Sequence, residues 1–526
     1  GEFLADYERV EILCKNAPDA INELVDWGAR FHREKDGRLT QRFFGAHTYR
    51  RTVFYEDWTG QEIIRVLINQ VNQRKIEIID DVFITKLLES DDDVNGKEQL
   101  ERELKQVNGA IGLDIRKKEI VIFECKSLIL AAGGYTHVYK VNSSRISENC
   151  GEGVTLAYEA GADLVDMEMV QFHPTGMVWP EKAVGTLATE AIRGEGGILL
   201  NSKGERFMKN YYPERMELGP RDVVARAVYS EIVAGRGTEH GGVWLDVTHL
   251  PKEKILDRLP TMYEQFKNLD GIDISRQKME VAPTAHYSMG GVVVDRDCRT
   301  KVKGLFAVGE TISQIHGANR LGGNSLLDTV VFGKIAGSQA ARLAKERVEI
   351  EKKTGEPSGS VNNNSGFGDG MYIVKEPHKF SDEIEDLMNQ NAGIVREETK
   401  LKYGLKRILE LKNEFYSKDN ILKELNIEEN NDENIIDQLK SSWEVRSFLV
   451  ACEAIIRSAL IREESRGGHY RSDFPKLDDE KWKANIFCRK EGDEMTTFKQ
   501  QVKEIKGTLA DFLNTHNKAE HHREFE

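Results

Sequence analysis

The sequence has few cysteines, and their spacing does not match that of common metal-binding motifs. Its 526 residues contain six cysteines, and none lies in a Cys-x-x-Cys pair. A zinc finger, or an iron–sulfur cluster held by this chain alone, is therefore not indicated, and we predict no metal site. Six scattered cysteines in a long chain are typical of reduced, buried thiols in a cytosolic compartment.

Long apolar runs and an excess of basic residues are also absent. A membrane-spanning helix needs about 18 consecutive apolar residues, and no stretch of that length is free of charge. The net charge is −14, whereas a nucleic-acid-binding face is basic. We therefore expect no membrane-spanning helix and no nucleic-acid partner, while attachment to a membrane through another protein remains open.

Proline is scarce and glycine is abundant, at 11 and 45 residues, and apolar residues make up 39% of the chain. This composition is globular, and the length allows about three domains. The patterns predict two short helices in 5–28 separated at Asn16-Ala-Pro18, a helix at 61–73, short strands from IEIID (76–80) to SLILAA (127–132), long helices at about 381–417 and 443–464, and a helix of marginal order at 489–526.

Two apolar strands end in glycine. SLILAA runs into Gly133-Gly134, and LFAVGE ends in Gly309-Glu310. A third glycine motif, Gly151-Glu152-Gly153, precedes a helical pattern. Glycines at strand ends let a ligand approach the backbone, and nucleotides bind at the carboxyl edge of an α/β sheet. Together the three motifs favour a nucleotide-binding sheet.

A second set of motifs places polar side chains among small residues. The segments are QFHPTG (171–176), ATEAIRGEGG (188–197), GPRDVVARA (219–227), APTAHYSMGG (282–291) and IHGANRLGGNSLLDTVVFG (315–333). Each side chain alone is more often structural than a ligand contact. Four of them, His173, Thr189, His286 and Arg320, fit better together as a shell around a small anion.

Arg221 opens a predicted helix directly after Gly219-Pro220. A cation at that end of a helix opposes the helix dipole, so some other interaction must favour it. From its position alone, Arg221 is either one half of an ion pair or a clamp on the substrate.

The five polar segments, in this order, resemble the flavoprotein subunit of succinate dehydrogenase and fumarate reductase, and L-aspartate oxidase is the nearest relative of that family. The resemblance covers about residues 1–345 and 443–485. NRLGGNSLLD, and QFHPTG followed by TEAIRGEGG, are more similar to the succinate and fumarate enzymes than to the aspartate oxidases.

The resemblance implies a role for each candidate residue. The dicarboxylate would be bound by His173, Thr189, His286 and Arg320. Arg221 would transfer the proton, supplied through Glu190 and Arg193. Flavin contacts would fall on Gly133, Gly134, Glu152, Glu310, Ser325 and Leu326. An arginine is an unusual acid–base group, because its pKa in water is above about 12.

The resemblance also implies an α/β fold, in which a Rossmann-like FAD-binding domain carries an inserted α+β capping domain and a C-terminal helical domain. The expected divisions are 1–170 and 282–345 for the FAD-binding domain, 171–281 for the capping domain, 346–380 for a linker and 381–526 for the helical domain. The implied cofactor is FAD, and the implied partners are succinate or fumarate, an iron–sulfur subunit and membrane-anchor subunits. The implied location is cytoplasmic, at the inner face of the cell membrane.

The sequence departs from the family pattern at several points. The fingerprint G-x-G-x-x-G is absent, as is the segment in which many members carry a histidine bonded to FAD. The chain thus resembles the family from beyond its first βαβ unit, and we expect it, expressed alone, to be poorly soluble and to lack stoichiometric FAD. Glu152 replaces the usual aspartate, Trp58 replaces the usual arginine, and the extra residues MVWPEKAV (177–184) are expected to reshape the lid over the substrate.

Two alternatives stay open at this point. One is a flavin oxidase similar to L-aspartate oxidase, which would release peroxide and need no iron–sulfur partner. The other is a truncated, non-catalytic fragment that only occupies a surface of its partner. A flavin absorbance spectrum would separate the fragment from both enzymes.

Overall fold

The computed structural model describes residues 1–44, 47, 49–90, 106–145, 147–354, 372–417, 433–505 and 510–511. Within these ranges no helix has both the length and the apolar character needed to cross a membrane. The same ranges contain no group of three or more histidine, cysteine, aspartate or glutamate side chains that could hold a metal ion.

Helices and short strands alternate along the chain. The helices are α1 (Tyr7–Asp26), α2 (Thr59–Gln73), α3 (Glu152–Glu159), α4 (Glu190–Gly194), α5 (Met208–Tyr211), α6 (Arg221–Glu231), α7 (Lys252–Arg258), α8 (Pro260–Asp270), α9 (Asn324–Thr354), α10 (Pro377–Asn391), α11 (Glu398–Phe415), α12 (Glu433–Ile461) and α13 (Asp479–Trp482). The strands are β1 (Gln41–Arg42), β2 (Thr52–Val53), β3 (Val82–Ser90), β4 (Gln106–Asp114), β5 (Glu119–Glu124), β6 (Leu128–Leu130), β7 (Leu164–Val165), β8 (Val170–Trp179), β9 (Ile198–Leu200), β10 (Val243–Asp246), β11 (Met279–Ser288), β12 (Gly291–Val292), β13 (Leu305–Ala307), β14 (Ala484–Glu491) and β15 (Glu494–Gln501).

Two parallel strands join distant parts of the chain. β6 pairs with β13, and Leu130 lies opposite Ala307. Parallel pairing requires a long crossover connection, and here the crossover includes the second sheet described below. Since the carboxyl ends of parallel strands lie at the same edge of a sheet, Gly133-Gly134 and Gly309-Glu310 come together there.

The crossover contains a four-stranded antiparallel sheet, which we call the cap sheet, in the order β8-β11-β10-β9. β8 and β11 pair along most of their length, with irregular register near His173, which lies opposite Thr284. Helix α6 packs against both strands. The apolar residues shared by the sheet and α6 include Met177, Leu199, Val243, Leu245, Val281, Val224 and Val228. This packing fixes the start of α6 beside β8.

The C-terminal part combines helices with a β-hairpin. Helices α10, α11 and α12 pack on one another, and the buried face of α12 includes Phe448, Leu449, Cys452, Ile455 and Ile456. The hairpin β14–β15 joins β7, with Cys488 opposite Leu164. A fully buried ion pair between Arg462 and Glu168, 2.7 Å long, also links this part to the rest of the chain.

The structure corrects the prediction for residues 5–28. They form the single helix α1, which contains Pro18. Proline removes one backbone hydrogen bond from a helix interior. The buried face of Leu13, Ala20 and Leu24 continues through that point, so tertiary packing outweighs the local break.

The prediction of a marginal helix at 489–526 was wrong for its first part. Residues 484–501 form the hairpin β14–β15, which turns at Gly492, a residue with a positive φ of 62°. Its pairing partner β7 lies more than 300 residues earlier, so local charge patterning did not reveal it. Residues 512–526 lie outside the described residues.

Three further element predictions need correction. IEIID at 76–80 is not a strand in any of the sheets formed by the described residues, and Ile76 and Ile78 are exposed. The helix expected at 381–417 is two helices, separated where Arg396 donates to the carbonyl oxygens of Ala392 and Gly393. The helix expected at 443–464 begins earlier, at Glu433.

Of the expected linker, residues 346–354 complete α9, and 355–371 lie outside the described residues.

Candidate active site

A cavity of about 1830 Å³ lies between the cap sheet, the start of α9 and residues 1–63. Its lining includes polar side chains from the motifs, namely His173, Thr189, Glu190, Arg221 and His286. The start of α9 contributes Asn324, Ser325 and Leu326. The fold therefore brings residues more than 150 positions apart to one surface.

The two histidines face each other from neighbouring strands, β8 and β11. The rings of His173 and His286 are 5.4 Å apart and nearly perpendicular. The backbone N–H of Thr175 donates to His173 Nδ1 at 3.3 Å, and Ser143 Oγ lies 2.9 Å from His286 Nδ1. An accepting Nδ1 leaves the neutral His173 ring with its proton on Nε2, where it can donate to a ligand.

Both histidines are neutral at pH 7. Burial, and then the positive charge of Arg221, hold the pKa of His173 well below 6.5. Burial, followed by Arg320 and Arg221, has the same effect on the pKa of His286. Neutral imidazoles beside charged guanidiniums suit an anionic ligand, because they add donors without adding charges that must be desolvated.

Arg221 supplies the central positive charge of the cavity. Its Nε and Nη2 both donate to Oε2 of Glu190, at 3.0 and 2.8 Å, and its Nη1 donates to Oε1 of Gln171 at 3.0 Å. The ion pair with Glu190 offsets the unfavourable effect of the helix dipole on an arginine at the start of α6. The side chains of Arg221 and Glu190 are 12% and 5% exposed, so this pair is shielded from water.

Arg193 and Arg320 are buried behind the cavity surface. Arg193 donates to the backbone oxygen of Glu217 at 2.6 Å. Arg320 donates to Ser325 Oγ at 3.0 Å and lies over the ring of Tyr287. Burial, and then Arg221, lower the pKa of Arg320 to about 10. Arg320 is not among the residues that line the cavity, although its partner Ser325 is.

Several buried donors of this site have no partner within the described part of the chain. They are Thr189 Oγ1, Nε and Nη2 of Arg193, and Nε of Arg320. A buried donor without a partner costs about 1–3 kcal/mol, so each such group needs an explanation, and a bound ligand is one. Their position around the two histidines and Arg221 fits a small anion with several oxygen atoms.

The glycine motifs form a tight corner, and its residues Gly133, Gly134 and Glu310 are not among those that line the cavity. A Cβ atom on Gly134 would lie 2.6 Å from Glu310 Oε1 and 2.6 Å from Ser288 Oγ. Glu310 accepts from the backbone N–H of Ser288 at 2.8 Å, and burial raises the pKa of Glu310 to about 7. The left-handed φ of Gly133, 75°, requires glycine at that turn. Of the expected flavin contacts, Ser325 and Leu326 at the start of α9 line the cavity. Gly134 and Glu310 meet beyond the carboxyl ends of the parallel strands β6 and β13, where a nucleotide cofactor such as FAD binds in α/β sheets.

Two further predicted features are also absent from the cavity lining. Glu152 begins α3 and is not among the cavity-lining residues. Burial, and then the negative charge of Glu444 on α12, raise the pKa of Glu152 to about 7, while hydrogen bonds from Cys150 oppose the rise. The extra residues 177–184 also contribute nothing to the lining. Instead, Trp179 stacks on His240, with ring centroids 4.0 Å apart, at the outer edge of the cap sheet.

Sequence reasoning missed the residues that support the site from behind. Gln171 binds Arg221, Asn319 binds Gln171, and Asp222 binds Asn319. Ser143 binds His286. Gln171, Asn319 and Asp222 lie inside the motifs quoted above, so the sequence showed that small residues surround them. Their mutual contacts, however, depend on pairing between distant segments.

Comparison with known proteins identifies the families that this chain matches. Residues 1–326 match the family described as FAD binding domain, and residues 381–512 match the family described as Fumarate reductase flavoprotein C-term. One relative is a subunit of the fumarate reductase (CoM/CoB) of Methanothermobacter marburgensis, with 46% identity over 492 residues, covering 93% of this chain and 84% of that protein. Another is the 8-methylmenaquinol:fumarate reductase flavoprotein subunit of Wolinella succinogenes, with 36% identity, covering 91% of this chain and 75% of that protein.

Solved structures of related proteins have a similar fold. A mutant of the E. coli quinol fumarate reductase protein FrdA superposes with a TM-score of 0.83 at 30% identity, over 96% of this chain and 85% of that one. Mycobacterium smegmatis Sdh1, solved with UQ1, superposes with a TM-score of 0.80 at 36% identity, over 98% of this chain and 86% of that one. The chain belongs to the family of FAD-dependent oxidoreductases that form the flavoprotein subunits of fumarate reductases and succinate dehydrogenases.

Proposed function

We propose that this chain interconverts succinate and fumarate, and that it passes electrons to or from an iron–sulfur subunit. The observation that carries the proposal is the set of unpartnered buried donors, within the described ranges, around a neutral histidine pair and Arg221. A C4 dicarboxylate has two charged ends and four oxygen atoms, so it can satisfy donors on both sides of the cavity at once.

Four residues would bind the dicarboxylate. His173 on β8 and Thr189 at the start of α4 belong to the cap side of the cavity. His286, on the neighbouring cap-sheet strand β11, and Arg320, which precedes α9, would form the second set of donors. Two separate donor sets would hold one carboxylate each and so fix the orientation of the central carbon atoms, which is worth several kcal/mol of the barrier.

Arg221 would hold the transferred proton. Its guanidinium is fixed by three hydrogen bonds, two to Glu190 and one to Gln171. Glu190 and Arg193 lie three residues apart on α4 and interact electrostatically. We assign Arg193, Glu190 and Arg221 to a proton route that restores the proton on Arg221 after each turnover. FAD, when bound, supplies the hydride chemistry, and the residues of this chain orient the substrate and exclude water from it.

The electron partner and the location are proposed by family relationship. The relatives named above are single subunits of fumarate reductases, and a flavoprotein subunit needs an electron carrier. We assign this role to an iron–sulfur subunit. We further propose that membrane-anchor subunits attach the assembly to the inner face of the cell membrane.

The test separates this function from its rival. The flavin-loaded protein is mixed anaerobically with succinate or with L-aspartate, and flavin absorbance is followed near 450 nm. We expect bleaching by succinate, reoxidation by fumarate and no bleaching by L-aspartate. Bleaching by L-aspartate, with peroxide released in air, would replace the proposal with an amino-acid oxidase activity. A protein that neither substrate reduces would contradict both activities.

A further inference from the structure

We infer that two buried amides, Gln171 and Asn319, position Arg221 relative to Arg320, and that Asp222 holds this amide pair in place. The inference rests on the proposed function, because it concerns the spacing of the proton-transfer arginine and the substrate-binding arginine. It assigns the amide pair and Asp222 a positioning role rather than a chemical one.

Gln171 is the link between the two arginines. Its Oε1 accepts from Arg221 Nη1 at 3.0 Å. Its Nε2 donates to the backbone oxygen of Arg320 at 2.8 Å and to Asn319 Oδ1 at 2.9 Å. Gln171 is 1% exposed, so water does not compete for these bonds. One neutral side chain therefore bridges α6 and the segment that carries Arg320.

A second link runs parallel to the first. Asn319 Nδ2 donates to Asp222 Oδ1 at 2.8 Å. Asp222 follows Arg221 in the first turn of α6. Neighbouring residues of α6 are thus tied to neighbouring residues of the 319–320 segment. Two parallel links resist rotation as well as separation, whereas one link would act as a hinge.

The C-terminal part of the chain also contacts this network. The other oxygen of Asp222 pairs with Arg226 at 2.8 Å, and Arg226 donates to the backbone oxygen of Gly467 at 3.0 Å. The next residue, Gly468, donates its N–H to the backbone oxygen of Ala318 at 2.8 Å. The turn at 467–468 therefore holds both α6 and the segment that leads into Arg320.

The charges explain why the site needs such a network. Arg221 and Arg320 repel each other, and this repulsion contributes to the lowered pKa of Arg320. Without a substrate dianion between them, the two guanidiniums favour separation. Neutral amides can bridge them without adding a charge or competing for the transferred proton. A misplacement of about 1 Å at a reacting group can cost about 100-fold in rate.

Three substitutions and one control test the inference in the FAD-loaded protein. Asp222→Ala removes the acceptor for Asn319. Asp222→Asn keeps an acceptor oxygen but removes the charge opposite Arg226. Asn319→Asp keeps the acceptor for Gln171 but replaces the donor to Asp222 with an oxygen. The matched control is Asp257→Ala, at an exposed position of α7 in the crossover segment.

We expect Asp222→Ala and Asn319→Asp to lower the kcat of fumarate reduction by about 10- to 100-fold while the KM changes less than about threefold. Asp222→Asn should recover most of the kcat, and the control should match the parent protein. Without turnover, amide hydrogen exchange at 221–226 in the malonate complex should be faster in Asp222→Ala and Asn319→Asp than in Asp222→Asn.

Two results would overturn the inference. One is a kcat within twofold of the parent in both Asp222→Ala and Asn319→Asp. The other is equal impairment of Asp222→Asn and Asp222→Ala, because the ion pair to Arg226 would then be the feature that matters. A parent protein inactive toward fumarate would refute the proposed function instead, and the exchange measurement would still decide whether the amide pair orders α6.

Discussion

Arg221 and Glu190 are joined by two hydrogen bonds that end on the same carboxylate oxygen, Oε2 of Glu190. The pair connects the start of α6 to the start of α4. An arginine at a helix start is unfavourable in isolation, and a shielded ion pair of this kind is retained at a cost in desolvation. The position of this pair beside the cavity supports the proton route proposed above for Arg221 and Glu190.

Replacement of Glu190 by glutamine should separate binding from chemistry. Glutamine keeps an acceptor for Arg221 but cannot carry a proton as a carboxylate does. We expect kcat to fall by about 100-fold or more. The malonate dissociation constant should stay equal or decrease, because a negative charge has left the cavity. Steady-state rates and flavin absorbance titrations measure the two quantities.

The control for this change is Glu195→Gln, near the end of α4, where the carboxylate pairs with Lys254 and Arg258 outside the cavity. It should leave both quantities unchanged. A normal kcat in Glu190→Gln would remove Glu190 from the proton route.

Local sequence was sufficient for the parts of the site that lie within one motif. Gly133 and Gly134 follow directly after the predicted strand SLILAA, and the structure has β6 there. Arg221 was expected to need a compensating interaction, and Glu190 supplies it. These inferences needed only strand ends, helix ends and the helix dipole, all of which act within a few residues.

The other parts of the site and of the fold depend on pairing between segments that are distant in the sequence. His173 and His286 meet because β8 pairs with β11 across more than 100 residues, and no local pattern encodes that register. The hairpin at 484–501 was missed for the same reason, since β7 completes its sheet. The contact between Asn319 and Asp222 likewise depends on how α6 packs. The motifs marked several of these residues as candidates for a site, but a single sequence did not show which of them contact one another.

Gly134→Ala should reduce flavin binding. The added methyl group would lie within 2.6 Å of Glu310 Oε1 and Ser288 Oγ, so the corner that these residues form must open. We expect the FAD affinity to fall by at least about tenfold, which is about 1.4 kcal/mol. The ratio of absorbance at 450 nm to that at 280 nm in the purified protein, after reconstitution with FAD, checks this.

Gly337→Ala is the matched control, because Gly337 lies in α9 and an added Cβ would have no atom within 4 Å apart from the nearby backbone of that helix and its neighbouring residues. Alanine is favoured there by about 0.5–1 kcal/mol, so this variant should keep its flavin and gain slightly in stability. An unchanged FAD affinity in Gly134→Ala would show that the corner is not part of the flavin site.

Glu310→Gln should change how stability depends on pH. Burial raises the pKa of Glu310 from 4.5 to about 7. The folded protein therefore keeps this proton up to about pH 7, whereas the unfolded chain loses it near pH 4.5. The stability contributed by the group is complete below pH 4.5 and is lost as the pH rises through 7. Glutamine resembles the protonated form and avoids this loss.

The free energy of unfolding of Glu310→Gln relative to the parent should therefore increase from pH 5 to pH 8, by at most about 3 kcal/mol, and then level off. Urea unfolding of both proteins in the same flavin state measures it. Glu349→Gln, at an exposed position of α9, should show no such trend. A difference that is constant over this pH range would mean that Glu310 ionises normally in the folded protein.

Arg320→Lys should weaken the binding of dicarboxylates more than any other change proposed here. Arg320 donates to Ser325, lies over Tyr287 and has a buried Nε without a partner in the described ranges. An ammonium cannot make these contacts and also grip a carboxylate with two parallel bonds. Loss of one charged hydrogen bond, worth about 1.5–3 kcal/mol, should raise the malonate dissociation constant and the succinate KM by about 10- to 100-fold.

The pH dependence gives this prediction a second check. The pKa of Arg320 is already lowered to about 10 by burial and Arg221. A lysine at the same position starts from about 10.4 rather than about 12.5, so the same surroundings should bring its pKa below about 9. Malonate affinity in the variant should then fall further between pH 7 and 9, because the ammonium loses its charge, while the parent protein stays nearly constant. Arg342→Lys, on the exposed face of α9, should match the parent at every pH. Equal malonate affinity in Arg320→Lys and the parent would exclude Arg320 from the substrate site and leave the second carboxylate to His286 alone.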